Sequence, residues 1–212
     1  MIQVQKFVFS PFQENTIVLF DETKECVIID PGCFDQNERD ELKGFIESNG
    51  LKPVQLLNTH CHLDHVFGNQ FVANEFGIEL AIHEKDLPTL EWVPRACEMY
   101  GIPGYMESPQ PSSFLDEGDQ VKFGNSTLDI RFVPGHAPGH IVFIANEEGF
   151  VINADCLFAG SIGRTDLPGG DHPTLIASIK EKLFTLPDDY VVYTGHGPET
   201  TIGAEKSGNP FF

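Results

Sequence analysis

The sequence predicts an α/β protein in which two β-sheets pack face to face and carry helices on their outer sides. Three observations lead there. Strand patterns followed by a helical pattern occur in the first half of the chain, and the same order returns in the second. The strands are broken by polar turns, with 20 Gly and 15 Pro scattered without a period. The 212 residues are 41% hydrophobic and include 18 Phe, so a single domain over residues 1–212 is expected to have ample core volume.

Residues 2–9, 16–20 and 25–30 read as three short strands, and Pro31-Gly32 ends the third. Residues 37–48 place Leu42, Phe45 and Ile46 among charges at helical spacing, with Asn49-Gly50 as a stop. Residues 54–57 are a strand, 65–76 a helix ending at Gly77, and 79–82 a short strand. Residues 84–112 hold five prolines together with Trp92, Met99, Tyr100, Tyr105 and Met106. They read as an irregular, aromatic-rich loop that covers a site or packs on itself. In the second half, residues 120–123, 127–133, 141–145 and 149–153 are successive strands, and residues 146–149 suit a hairpin. A helix over 172–186 and a strand over 190–193 complete the pattern.

The charge balance excludes some functions. Thirteen basic residues against 32 acidic ones give a net charge of −19, which repels phosphate backbones and disfavours nucleic acid as a partner. The longest aliphatic or aromatic run, residues 141–145, falls far short of a bilayer span, so no membrane partner is expected. The amino terminus alternates like a strand and lacks the apolar stretch of a signal peptide. Five cysteines, an odd number without a CxxC pair, suit free thiols in a reducing compartment, and a cytoplasmic location is expected.

The chemistry concentrates in Thr59-His60-Cys61-His62-Leu63-Asp64-His65. In extended chain, residues two apart share a face, so His60, His62 and Asp64 can converge on one point. His65 opens the following helix and points toward a second, neighbouring site. Packing would favour apolar residues here, and a helix cap needs only one polar side chain. Three more candidates each lie just beyond a strand: His136 in Pro134-Gly135-His136, Asp155, and His196 in Thr194-Gly195-His196-Gly197. Loops at strand ends can meet over one rim of a layered fold.

Five histidines and two aspartates suffice for two metal ions if one carboxylate bridges. His60, His62 and His136 would hold one ion, Asp64, His65 and His196 the other, with Asp155 between them. Imidazole and carboxylate without thiolate suit Zn, which is the expected metal, and also Fe or Mn. Two divalent ions against two aspartates leave the site positive, which favours a bound hydroxide as nucleophile at neutral pH without Ser or Cys.

THCHLDH with the downstream Gly-His, Asp and Gly-His elements resembles the metallo-β-lactamase superfamily, and within it the short bacterial form of glyoxalase II-type hydroxyacylglutathione hydrolases. The resemblance implies an αββα sandwich of two mixed sheets with a dinuclear site at one edge. It implies the same seven metal ligands, with Asp64 also orienting the hydroxide. Gly160-Ser161-Ile162-Gly163-Arg164 is similar to a Gly-x-Gly-Arg element of glyoxalase II enzymes, which makes Arg164 the candidate for a substrate carboxylate; a structural salt bridge is its alternative role. Full-length glyoxalase II carries a helical carboxy-terminal domain that grips glutathione, and no separate counterpart is expected here.

Asp30 is expected to brace the metal loops from behind the ligands, or to serve as an Asp-Pro turn residue. His140 is expected to support His136 or to be a plain polar residue, and His83 and His172 to lie at the surface or cap helices. Cys61 and Cys156 lack a base that would make either a nucleophile. The leading expectation is hydrolysis of a small-molecule thioester. Persulfide dioxygenation by one iron on His60, His136 and Asp155, lactone or β-lactam hydrolysis, and a metal-stabilised binding module are the alternatives. The oligomeric state is left open.

Overall fold

The computed structural model describes residues 1–212. The first half contains β1 (Gln3–Phe9), β2 (Glu14–Phe20), β3 (Glu25–Ile29), α1 (Gln36–Ser48), β4 (Lys52–Leu57), α2 (Asn69–Phe76), β5 (Leu80–Ile82), α3 (Leu87–Tyr100) and β6 (Ser113–Phe114). The second contains β7 (Gln120–Phe123), β8 (Ser126–Phe132), β9 (Ile141–Ala145), β10 (Phe150–Ala154), β11 (Leu157–Phe158), β12 (Ser161–Ile162), α4 (His172–Ser178), β13 (Val191–Thr194), β14 (Thr200–Thr201) and α5 (Ile202–Gly208).

Two six-stranded sheets result, ordered β1-β2-β3-β4-β5-β6 and β14-β13-β10-β9-β8-β7. Both are mixed. β3, β4, β5 and β6 run parallel behind an antiparallel β1-β2-β3 edge. In the other sheet β13 pairs parallel with β10, while the remaining pairs are antiparallel. Strand alternation sends Ile17, Leu19, Val27 and Ile29 to the core between the sheets, where they meet Ile130, Phe143 and Ile152. Val18, Cys26 and Ile28 face the opposite way, onto Leu42 and Ile46 of α1, Val72 of α2 and Leu90 and Val93 of α3. Val142, Ile144 and Val151 meet Leu175 of α4 and Ile202 of α5 on the far side. These three core layers are those of an αββα sandwich, the architecture expected from the sequence. They also explain why β2 is buried along its whole length.

Three expectations are corrected. Residues 84–112 are mostly helical: a 3₁₀ turn over Glu84–Asp86 leads into α3, and only residues 101–112 are irregular before β6. Pro88 sits in the first turn of α3, where its missing N–H loses no helical partner, and the buried Leu90, Val93 and Cys97 supply the packing that tolerates Pro94. The predicted helix over 65–76 is divided into a 3₁₀ turn, Leu63–His65, and α2, so His65 belongs to the ligand loop. The helix over 172–186 is shorter: α4 widens into a π turn at Ile179–Leu183.

Asp21, buried at the end of β2, ties the two sheets together. Its carboxylate accepts hydrogen bonds from the Thr23 backbone at 2.9 Å and hydroxyl at 2.5 Å, and from Asn125 N–H at 2.7 Å and Ser126 Oγ at 2.9 Å. Burial alone would raise its pKa, but these donors outweigh it and bring the value down to about 2. The anion is therefore the stabilised form. Its contribution is complete above the unfolded value of about 4 and is lost as the pH falls through about 2. Asp21→Ala is expected to cost about 3 kcal/mol at neutral pH, with the gap from wild type closing over that acid window; denaturant unfolding at a series of pH values measures it.

Candidate metal centre

Every predicted ligand lies beyond the carboxyl end of a strand. His60 and His62 follow β4, His136 follows β8, Asp155 follows β10 and His196 follows β13. The structure brings all seven together, as two groups of three with Asp155 between them, while Asp30, His60 and His65 also lie within ligating reach of one another.

His60, His62 and His136 form the first group. His136 Nδ1 lies 2.7 Å from the Arg164 carbonyl oxygen, so that nitrogen carries the proton and Nε2 is left with a lone pair. Thr59 Oγ1 donates to Asp30 Oδ2 at 2.5 Å, so it accepts from His60 Nδ1 at 3.1 Å, leaving His60 Nε2 with a lone pair as well. These two lone pairs face each other across 3.2 Å, and His62 Nδ1 lies 2.9 Å from His136 Nε2. Facing lone pairs repel, and a proton or a cation is needed to reverse the sign. Burial disfavours the proton. It pushes the pKa of His60 well below the ordinary range, that of His62 down to about 3, and that of His136 down too. A divalent cation is the partner that this arrangement fits.

Asp64, His65 and His196 form the second group. His196 Nδ1 donates to the Phe12 and Gln13 carbonyls at 3.1 and 3.2 Å, so Nε2 faces Asp64 Oδ2 at 3.2 Å. His65 Nδ1 faces Asp30 Oδ2 at 3.3 Å, and its Nε2 is buried without a hydrogen-bond partner, 3.9 Å from Asp64 Oδ2. Asp155 spans the groups, with Oδ1 3.6 Å from His65 Nε2 and Oδ2 3.6 Å from both His136 and His196 Nε2. Its Oδ1 also lacks a hydrogen-bond partner. Burial would keep His65 neutral, but the charges of Asp155 and Asp64 pull its pKa well above the ordinary value. Burial likewise raises the two carboxyls, and the His65 charge more than offsets it, holding both low. Carboxylates that draw positive charge onto neighbouring imidazoles would draw a metal ion equally.

Glycine makes the approach possible. A Cβ on Gly195, next to His196, would overlap Asp155 Oδ1. Strain marks the same rim: Asp30 and Ala154, each at a strand end, have φ of 49° and 47°.

Behind the ligands lie groups that the sequence revealed only in part. Asp30, expected there, accepts from Thr59 N–H at 2.7 Å and from Thr59 Oγ1, and so fixes both His60 and His65. Asp86 was missed. Its buried carboxylate accepts from Cys61 N–H at 2.5 Å, Gly139 N–H at 3.0 Å and Thr89 Oγ1 at 3.1 Å. It thereby clamps the His60–His62 loop, the His136–His140 loop and the first turn of α3. Proline at the second position of α3 was the one sequence signal that a helix, and an acidic residue at its start, stood there. Asn15 was missed as well; its buried amide donates to the Thr194 and Gly197 carbonyls at 2.9 Å and pins the His196 loop to β2.

His140 is fully buried and stacks on His60 with ring centroids 4.7 Å apart, and its Nδ1 meets Cys156 Sγ at 3.3 Å. His83 is buried, contrary to a surface role. It stacks on Phe132, and its Nδ1 caps the turn before α3 by accepting from Lys85 N–H. His172 is exposed in the first turn of α4. Burial pushes the Cys61 and Cys156 thiols well above the ordinary range, so neither is poised as a nucleophile.

A cavity of about 780 Å³ opens over the cluster, with His62, Asp64, His136, Asp155 and His196 in its wall. Arg164 lines it too. Its guanidinium is also paired with Asp166, through Nε at 2.7 Å and Nη2 at 2.9 Å, so the alternative salt bridge is present beside the cavity position.

Comparison with known proteins shows the family and the fold. A model of the metallo-beta-lactamase superfamily matches residues 10–196. The chain is 41% identical over 201 residues to the hydroxyacylglutathione hydrolase GloC of Haemophilus influenzae, covering 94% of this chain and 93% of that one. Its fold superposes on the BLEG-1 B3 metallo-beta-lactamase with a TM-score of 0.89 at 34% identity, over 99% of each chain. It superposes on TTHA1623 in a di-iron-bound form with a TM-score of 0.88 at 36% identity, over 99% and 100%.

Asp86→Asn keeps the size of the side chain but turns an amide donor toward one of the three hydrogen-bond donors. Metal affinity is expected to fall about 10- to 100-fold, as when other groups that orient ligands are lost. Dialysis against metal buffers with elemental analysis measures this, and wild-type affinity in the variant would contradict the clamp.

Proposed function

The chain belongs to the metallo-β-lactamase superfamily, and on that premise we propose that this metallo-hydrolase cleaves a thioester of the S-2-hydroxyacylglutathione kind. The observation that carries the reading is the pair of donor groups facing one cavity, in a chain 41% identical to a hydroxyacylglutathione hydrolase. His60, His62 and His136 would hold one divalent ion, and Asp64, His65 and His196 a second, with Asp155 facing both. Zinc suits the donors; iron is the metal of the TTHA1623 structure. When bound, the ions supply Lewis acidity and a water that ionises near neutral pH.

The remaining work falls to the protein. Asp64 lines the cavity beside His196 and would orient the attacking water by accepting its proton in a hydrogen bond. Burial keeps the first three imidazoles neutral, the form in which they ligate. The water oxygen bonds to the acyl carbon, the C–S bond breaks, and the products are a carboxylate and a thiol. Thiolate leaves readily, so no strong general acid is required. Arg164 would pair with a carboxylate of the thiol limb, sharing its guanidinium with Asp166. The five buried cysteines are free, which supports a reducing, cytoplasmic setting.

Elemental analysis of purified protein is expected to give two metal ions per chain. A chelator should abolish thioester hydrolysis and added metal should restore it. Undiminished turnover in metal-free protein would overturn the reading, and faster turnover of a β-lactam, lactone or persulfide run in parallel would redirect it. Arg164→Ala is expected to raise KM about tenfold for a thioester bearing a carboxylate, with kcat little changed; steady-state kinetics separate the two.

A further inference from the structure

A surface helix needs one apolar face, and α3 has two. Leu90, Val93 and Cys97 bury one face in the helix-side core of the first sheet. Trp92, Ala96, Met99 and Tyr100 present another to the cavity over the ligand cluster. The large ones remain open to solvent, with Trp92 50%, Met99 68% and Tyr100 57% exposed. Across the same cavity Phe12 and Leu167 add to the apolar wall, and Arg164 is the only lysine or arginine in the lining. Exposed aromatic surface that is continuous with a reactive centre is a binding wall.

The wall's chemistry specifies what it holds. A charged limb would need a cationic side chain, and the single lysine or arginine in the lining is the one assigned above to a carboxylate of the thiol limb. We infer that the α3 wall binds the acyl limb of the thioester, and that beyond its carbonyl end this limb carries a hydrocarbon chain of several carbons or an aromatic ring. The inference rests on the thioester reading and narrows it: the thiol limb is held by charge at Arg164, the acyl limb by burial against Trp92, Met99 and Tyr100.

Two measurements separate this inference from the reading beneath it. Acetyl, butanoyl and hexanoyl thioesters of glutathione, with the same series on N-acetylcysteamine, are assayed on metal-loaded protein. On either thiol, kcat/KM is expected to rise about fourfold per methylene as each is buried. Trp92→Ala should reduce the hexanoyl-to-acetyl ratio about tenfold. Trp92 is the chain's single tryptophan, so its emission reports the wall without turnover. S-hexylglutathione, a thioether that cannot be hydrolysed, should shift that emission to the blue with saturation, whereas S-methylglutathione should not. Hydrolysis that is flat across the acyl series, or emission indifferent to the hexyl group, overturns the acyl assignment and leaves thioester hydrolysis standing. No turnover of any thioester, with β-lactam or lactone cleaved instead, overturns the reading itself, while the emission shift still reports whether the wall takes hydrocarbon.

Discussion

One buried carboxylate governs the geometry of the centre. Asp30 accepts from the Thr59 backbone and hydroxyl and faces His65 Nδ1, so it orients His60 through Thr59 and His65 directly. Each donor group thus takes one histidine's orientation from the same side chain. The price is local strain, since Asp30 adopts a left-handed backbone that non-glycine residues avoid. That strain persists because β3 and β4 hold the segment between two packed layers.

The two donor groups are electrostatically unlike, although they share Asp155. The first is three imidazoles that burial keeps neutral, two of which, His60 and His136, turn lone pairs toward each other. The second is two imidazoles drawn toward the charged form by two carboxylates. A cation relieves repulsion in the first and replaces protons in the second. The two positions would therefore differ in how loading depends on pH, with the second competing with protons more strongly.

Much of the fold and of the clustering of the candidate ligands was legible in the sequence because histidine-rich motifs and strands leave local signals. His60, His62, Asp64 and His65 are contiguous, and His136, Asp155 and His196 each follow a strand whose pattern is plain. What failed was what depends on tertiary context. α3 was hidden by its prolines, since tolerance of Pro94 comes from packing of Leu90, Val93 and Cys97 against the first sheet. Asp86 and Asn15 gave no signal because a polar residue that accepts from one loop or donates to another looks, in one dimension, like any other. Two-residue strands such as β6, β11 and β12 are set by their partners and carry no period of their own.

Asp86 fastens only the beginning of α3 to the metal loops. Trp92, Ala96, Met99 and Tyr100 line the cavity from further along the same helix. Under the proposed reading, the candidate ligands would carry reactivity and these exposed side chains the choice of acyl limb. Drift at those solvent-exposed positions would then retune which molecules are accepted while leaving the candidate ligands in place, and a scaffold arranged this way lends itself to divergence into new specificities.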